Sequence, residues 1–69
     1  MVYVFKTSIE DKKQIKSISK NLNEIQEIQR WNFDLDDCDN ILRIVAEKNI
    51  SKTVCELFSA FNYTCIELE

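Results

Sequence analysis

In a chain without histidine, cysteine is the side chain best suited to soft-metal binding or nucleophilic attack, and there are three: Cys38, Cys55 and Cys65. Paired thiolates at CxxC spacing hold zinc or copper or cycle as a redox disulfide. These three lie 17 and 10 positions apart, with no CxxC. An odd count suits a reducing compartment better than a disulfide framework. Cys38 is flanked by Asp36, Asp37 and Asp39, whose charges raise a thiol pKa and blunt its reactivity. Cys38 is therefore expected in a turn, with Cys55 and Cys65 as small, partly buried hydrophobes. A redox role for Cys55 and Cys65 stays open.

The carboxylates Asp34, Asp36, Asp37 and Asp39 suggest a hard-cation loop. With Asp34 first, the fifth and twelfth ligand places of a calcium loop fall on Cys38 and Val45; with Asp36 first, the third falls on Cys38, and neither loop has the central glycine. A solvated turn fits better. Lys12, Lys13 and Lys16 cluster where a helix is expected to begin, and free backbone amides there attract anions. They read either as an anion or acidic-partner loop or as solvated lysines around a terminus capped by Asp11, and Glu10 and Asp11 favour the second. With no His, general-base work would fall to Asp, Glu, Lys or Cys, and no pair has a recognisable spacing. Catalysis is not expected.

Glycine and proline are both absent. Phosphate-cradling loops, dinucleotide fingerprints and nucleophile elbows all need glycine, so they are excluded. A net charge of −3 argues against nucleic acid and anionic membranes, which need a basic footprint. No stretch approaches the roughly 20 apolar residues of a membrane span, and Met1–Lys6 is too short for a signal-peptide core. The expectation is a cytoplasmic protein without cofactor.

Six elements would have to position these groups, and 69 residues allow a single domain over 1–69. Val2-Tyr3-Val4-Phe5 reads as a strand. Ile15, Ile18, Leu22 and Ile25 form the stripe of an amphipathic helix from about Asp11 to Gln26. Trp31, Phe33 and Leu35 alternate with polar residues as a half-buried strand. Ile41–Glu47 returns after the acidic turn as its hairpin partner. Ser51 is the expected N-cap of a second helix with Val54, Leu57, Phe58 and Phe61 inward. Asn62 is the expected left-handed exit, and Thr64–Leu68 a last strand. The order βαββαβ predicts an α+β ferredoxin-like sandwich with sheet order 4-1-3-2. Trp31, Phe33, Phe58, Phe61 and Tyr63 are expected in its core.

These residues resemble the heavy-metal-associated domain of copper chaperones and metal-pumping ATPases. In that family a first strand leads to Met-Thr-Cys-x-x-Cys, and the second helix ends in Gly-Tyr or Gly-Phe with a small residue two further on. Ile9 stands where the Met would be, Ile18 and Leu22 on helix core positions, and Asn62-Tyr63-Thr64-Cys65 where Gly-Tyr-x-Ala would be. The family's cysteine positions hold Asp11 and Gln14. The resemblance implies the fold and withholds the copper activity, because a carboxylate and an amide do not replace two thiolates around a soft ion. An accessory role in soft-metal handling through Cys55 and Cys65 is the alternative to a plain interaction module.

If Tyr3, Phe5, Leu42 and Ile44 face the helices, alternation sends Val2, Val4, Ile41, Arg43 and Val45 to the open side of the sheet. Clustered aliphatics there read as a contact face for an unknown protein partner or a weak homodimer. The other reading is that the stems of Arg43 and Lys6 cover them. RNA-recognition domains share the topology but present aromatic and basic residues on these strands.

Overall fold

The computed structural model describes residues 1–35 and 40–68. Its elements are β1 (Val2–Thr7), α1 (Lys12–Glu24), β2 (Ile28–Asp34), β3 (Ile41–Ala46), α2 (Ser51–Ala60) and β4 (Cys65–Leu68). All strand pairs are antiparallel, in the order β2-β3-β1-β4, which is the expected ferredoxin-like arrangement with both helices on one face. The expected acidic turn at Asp36, Asp37, Cys38 and Asp39 lies outside the described residues.

The core lies between that face and the helices. Phe5, Leu42 and Ile44 from the two central strands meet Ile18 and Leu22 of α1 and Val54 and Phe58 of α2, all fully buried. Full burial of each such side chain contributes about 1.5–3 kcal/mol. On β2, Ile28 pairs with Ala46 while Arg30 pairs with Val45, so one extra residue bulges between them. The bulge lets Ile28 and Trp31, three positions apart, both turn toward the helices. The aromatic row continues inward as expected: Trp31 meets Phe33 edge-on at 5.8 Å, Phe33 lies 6.5 Å from Phe58, and the Trp31 indole N–H donates to Asn23 Oδ1 at 2.9 Å.

Two asparagines supply the backbone conformations that glycine usually provides, since Asn40 and Asn62 both have positive φ, 51° and 62°. Asn40 accepts from the backbone and hydroxyl of Thr7 at 3.3 and 2.8 Å through its carbonyl, satisfying a buried polar side chain. Asn62 closes α2 in a Schellman exit: Tyr63 N–H donates to Phe58 C=O at 2.9 Å and Asn62 N–H to Ser59 C=O at 3.0 Å. The accompanying apolar contact is the edge-on packing of Tyr63 on Phe58, 6.3 Å between centroids.

Ser51 is not the cap of α2. It is the first helical residue, after Ile50, and its buried hydroxyl has no partner. The local bond at this end comes instead from Asn49, whose Oδ1 accepts from Ser51 N–H at 2.9 Å. Helix entry here is decided by burial of Ile50 in the core, which fixes the chain one residue earlier than the polar side chain alone would.

Left-handed backbone costs an ordinary residue about 1–2 kcal/mol, and asparagine less. Asn62→Gly is expected to hold or raise stability to urea, and Asn62→Ala to lower it by about 1 kcal/mol. Equal unfolding midpoints for Asn62→Ala and the parent would contradict the strain assigned to this exit.

Candidate functional site

The β1–α1 loop is tied down at every step. Ser8 N–H donates to Thr64 C=O at 3.2 Å and Thr64 N–H to Ser8 Oγ at 3.0 Å, while Ile9 is fully buried. Asp11 takes the N-cap of α1, its Oδ1 accepting from Gln14 N–H at 2.9 Å. Gln14 reaches back, its Oε1 accepting from Glu10 N–H at 2.6 Å. This is a capping box, displaced by one residue on its return bond. A carboxylate at this end also meets the positive pole of the helix. The amide that an outside anion would use at the third helical position is thus occupied by the chain's own Asp11. Lys12, Lys13 and Lys16 are exposed around it.

Cys55 and Cys65 come together. The Cys55 thiol donates to the Cys65 carbonyl at 3.3 Å, and both residues are half-buried free cysteines. Burial first, then the charge and hydrogen bond of Cys55 and the charge of Glu67, push the Cys65 thiol far above its ordinary value of 9.0. It is held as a neutral thiol, the form that neither attacks nor ligates. Asp34, from the acidic stretch, lies 3.6 Å from Arg43 in an exposed pair. Among the described residues no three His, Cys, Asp or Glu side chains are grouped to hold a metal ion, and no helix is long and apolar enough to cross a membrane.

The open side of the sheet can be read strand by strand from the pairing. β3 places Val45, Arg43 and Ile41 there, and beside them β1 places Val2, Val4 and Lys6. β2 adds Arg30, Asn32 and Asp34. β4 adds Leu68 opposite Val4 and Ile66 opposite Lys6. Val2 and Ile66 are 61% and 59% exposed. A depression of about 290 Å³ runs over Val2, Val45, Arg43 and Arg30.

Two expectations change. Ile41 is on the open side but only 5% exposed, flanked in the ladder by Lys6 and Asp34, so it contributes no surface. Ile66 and Leu68, absent from the sequence-derived face, belong to it. Hydrophobicity alone would turn them inward and Glu67 outward. Tyr63 packs on Phe58, and alternation from Tyr63 then carries Cys65 toward α2 and Ile66 and Leu68 away. The missed signal was the parity of Tyr63, which has meaning only once its packing on Phe58 is known.

No family model, curated protein or solved structure matches this chain.

Losing the cap should be measurable. Asp11→Ala is expected to cost about 1 kcal/mol of stability in urea, with Asp11→Asn retaining most of it; an unchanged midpoint in Asp11→Ala would show that the cap carries nothing. For Cys65 the sign follows from its raised pKa. The unfolded chain gives up the thiol proton near 9.0 while the folded chain keeps it, so stability is complete below that pH and falls as pH rises above it. Cys65→Ala should flatten that decline in urea titrations run across the alkaline range. A parallel decline in both proteins would remove Cys65 as its source.

Proposed function

We propose that this chain is a non-catalytic cytoplasmic interaction module, a heavy-metal-associated-like scaffold whose metal loop has become a helix cap. The observation that carries the reading is the pair of hydrogen bonds at Asp11 and Gln14. A soft-metal loop presents two thiolates with free lone pairs. At these positions the chain presents hard oxygen and amide groups, already committed to the backbone of the loop they sit in. The buried Ile9 and the bonds from Ser8 to Thr64 make the same loop a structural joint between β1 and α1. What remains for function is surface, and the apolar open side of the sheet is the part of the surface that a lone domain has least reason to keep.

A second reading has its own observation, the approach of Cys55 to Cys65. A soft monovalent ion needs at least two thiolates, and an accessory role in copper handling would draw them from Cys55 and Cys65. The raised pKa of Cys65 opposes it, because a ligand thiol must first lose its proton.

Titration with Cu(I) under reducing conditions against a competing chelator separates the two. The interaction module is expected to show no stoichiometric binding tighter than about micromolar, with Cys65→Ser indistinguishable from the parent. Tight one-to-one binding that Cys65→Ser abolishes would overturn the first reading in favour of the second.

A further inference from the structure

The exit of α2 folds the chain back so that two of its thiols meet. Positive φ at Asn62 reverses the backbone, the Tyr63 N–H donates to the Phe58 carbonyl at 2.9 Å, and the two rings pack 6.3 Å apart. Cys65 lies two residues after Tyr63 and shares its side of the chain, toward α2. Cys55 lies three residues before Phe58, one turn back along the same helix. The two cysteines are ten positions apart in sequence, yet the Cys55 thiol donates to the Cys65 carbonyl at 3.3 Å and both side chains pack on the same core. Both are free and only half-buried, so neither is sealed from a small solute.

We propose that Cys55 and Cys65 form a reversible intrachain disulfide that clamps β4 to α2. A disulfide requires two side chains that point toward one another from adjacent backbone segments, and the exit at Asn62 supplies that arrangement. The strand it would hold is the one least held otherwise: β4 has four residues, stands at the edge of the sheet and pairs with β1 alone.

The oxidant is a small disulfide of the glutathione type. Cys55 gives up its proton and attacks one sulfur of that disulfide; the S–S bond breaks, and the first small thiol leaves with the electron pair and takes up a proton. Cys65 then loses its proton, attacks the Cys55 sulfur and expels the second small thiol, which is protonated in turn. Two protein thiols have lost two electrons and two protons, and one small disulfide has become two small thiols. Cys55 attacks first, because burial, the charge and hydrogen bond of Cys55, and the charge of Glu67 hold Cys65 as a neutral thiol. Once Cys55 carries the mixed disulfide it has neither a thiolate charge nor an S–H, so two of those causes are gone when Cys65 must act.

Disulfide formation is independent of both readings of the loop at Asp11 and Gln14, and a metal chelator in the buffer keeps its test separate from the copper titration. The protein is equilibrated with mixtures of oxidised and reduced glutathione, alkylated to trap free thiols, denatured and cleaved with chymotrypsin, which cuts between the two cysteines at Phe58, Phe61 and Tyr63. The expected product is a monomer lacking two hydrogens, with Cys55 joined to Cys65 and Cys38 alone alkylated. Cys55→Ser and Cys65→Ser should each lose it, and Cys38→Ser should keep it. In the oxidised form the amides of Ile66, Glu67 and Leu68 should exchange roughly tenfold more slowly or better, and dithiothreitol should restore the original rates. Should a serine variant fail to fold, the peptide map of the parent decides alone. The proposal is overturned by thiols that stay reduced in oxidised glutathione alone, by a crosslink that includes Cys38, by a disulfide-linked dimer or an unresolved glutathione adduct as the main product, or by β4 exchange that oxidation leaves unchanged.

Discussion

Among the described residues two helices, of 13 and 10 residues, cover a four-stranded sheet, and both lie against the same side. Every other feature follows from that asymmetry. The covered side takes the dense residues, Phe5, Leu42, Ile44 and Phe58 among them, with no solvent exposure. The uncovered side keeps whatever alternation sends there, and for an independent domain polar residues would cost least. Instead it holds Val2, Ile66 and Leu68 in the open. Neither helix can be spared to hide them, because each has a single apolar stripe already spent on the core.

The joints between elements are made without glycine or proline, and that constrains how the chain turns. Asparagine supplies left-handed backbone at Asn40 and Asn62, and side-chain hydrogen bonds at Thr7, Asp11, Gln14 and Asn49 hold the β1–α1 and β3–α2 connections. Local side-chain bonds of this kind replace what a Gly-rich loop would achieve by close backbone approach. They also consume the polar groups they use. The β1–α1 loop is internally hydrogen-bonded, and Cys65 is kept protonated by its burial beside Cys55.

Much of this was legible in the residues. The stripe Ile15, Ile18, Leu22 and Ile25, the alternation of Trp31, Phe33 and Leu35, the cap at Asp11 and the exit at Asn62 are local signals, each set by a period or by a backbone preference that one residue type satisfies. Strand order followed from them through handedness and connection length. Ser51 misled because its type favours capping, while the position was decided by Ile50 reaching the core. Ile41 misled because alternation gives the direction of a side chain and not the cover its neighbours provide.

By itself, then, the sequence determined the elements, their topology, the absence of any CxxC pair, and the four aliphatics and one arginine that alternation aims away from the helices. Tertiary structure decided what depends on registers between distant segments. It set the approach of Cys55 to Cys65 across α2 and β4, the bulge that turns Ile28 and Trp31 inward together, and the pairing of Arg43 with Asp34. It also turned Ile66 and Leu68 outward, against their hydrophobicity. The physical reason is that a strand has only two orientations. The choice for β4 was made at Tyr63, where packing on Phe58 outweighed what two aliphatic side chains would gain by facing in.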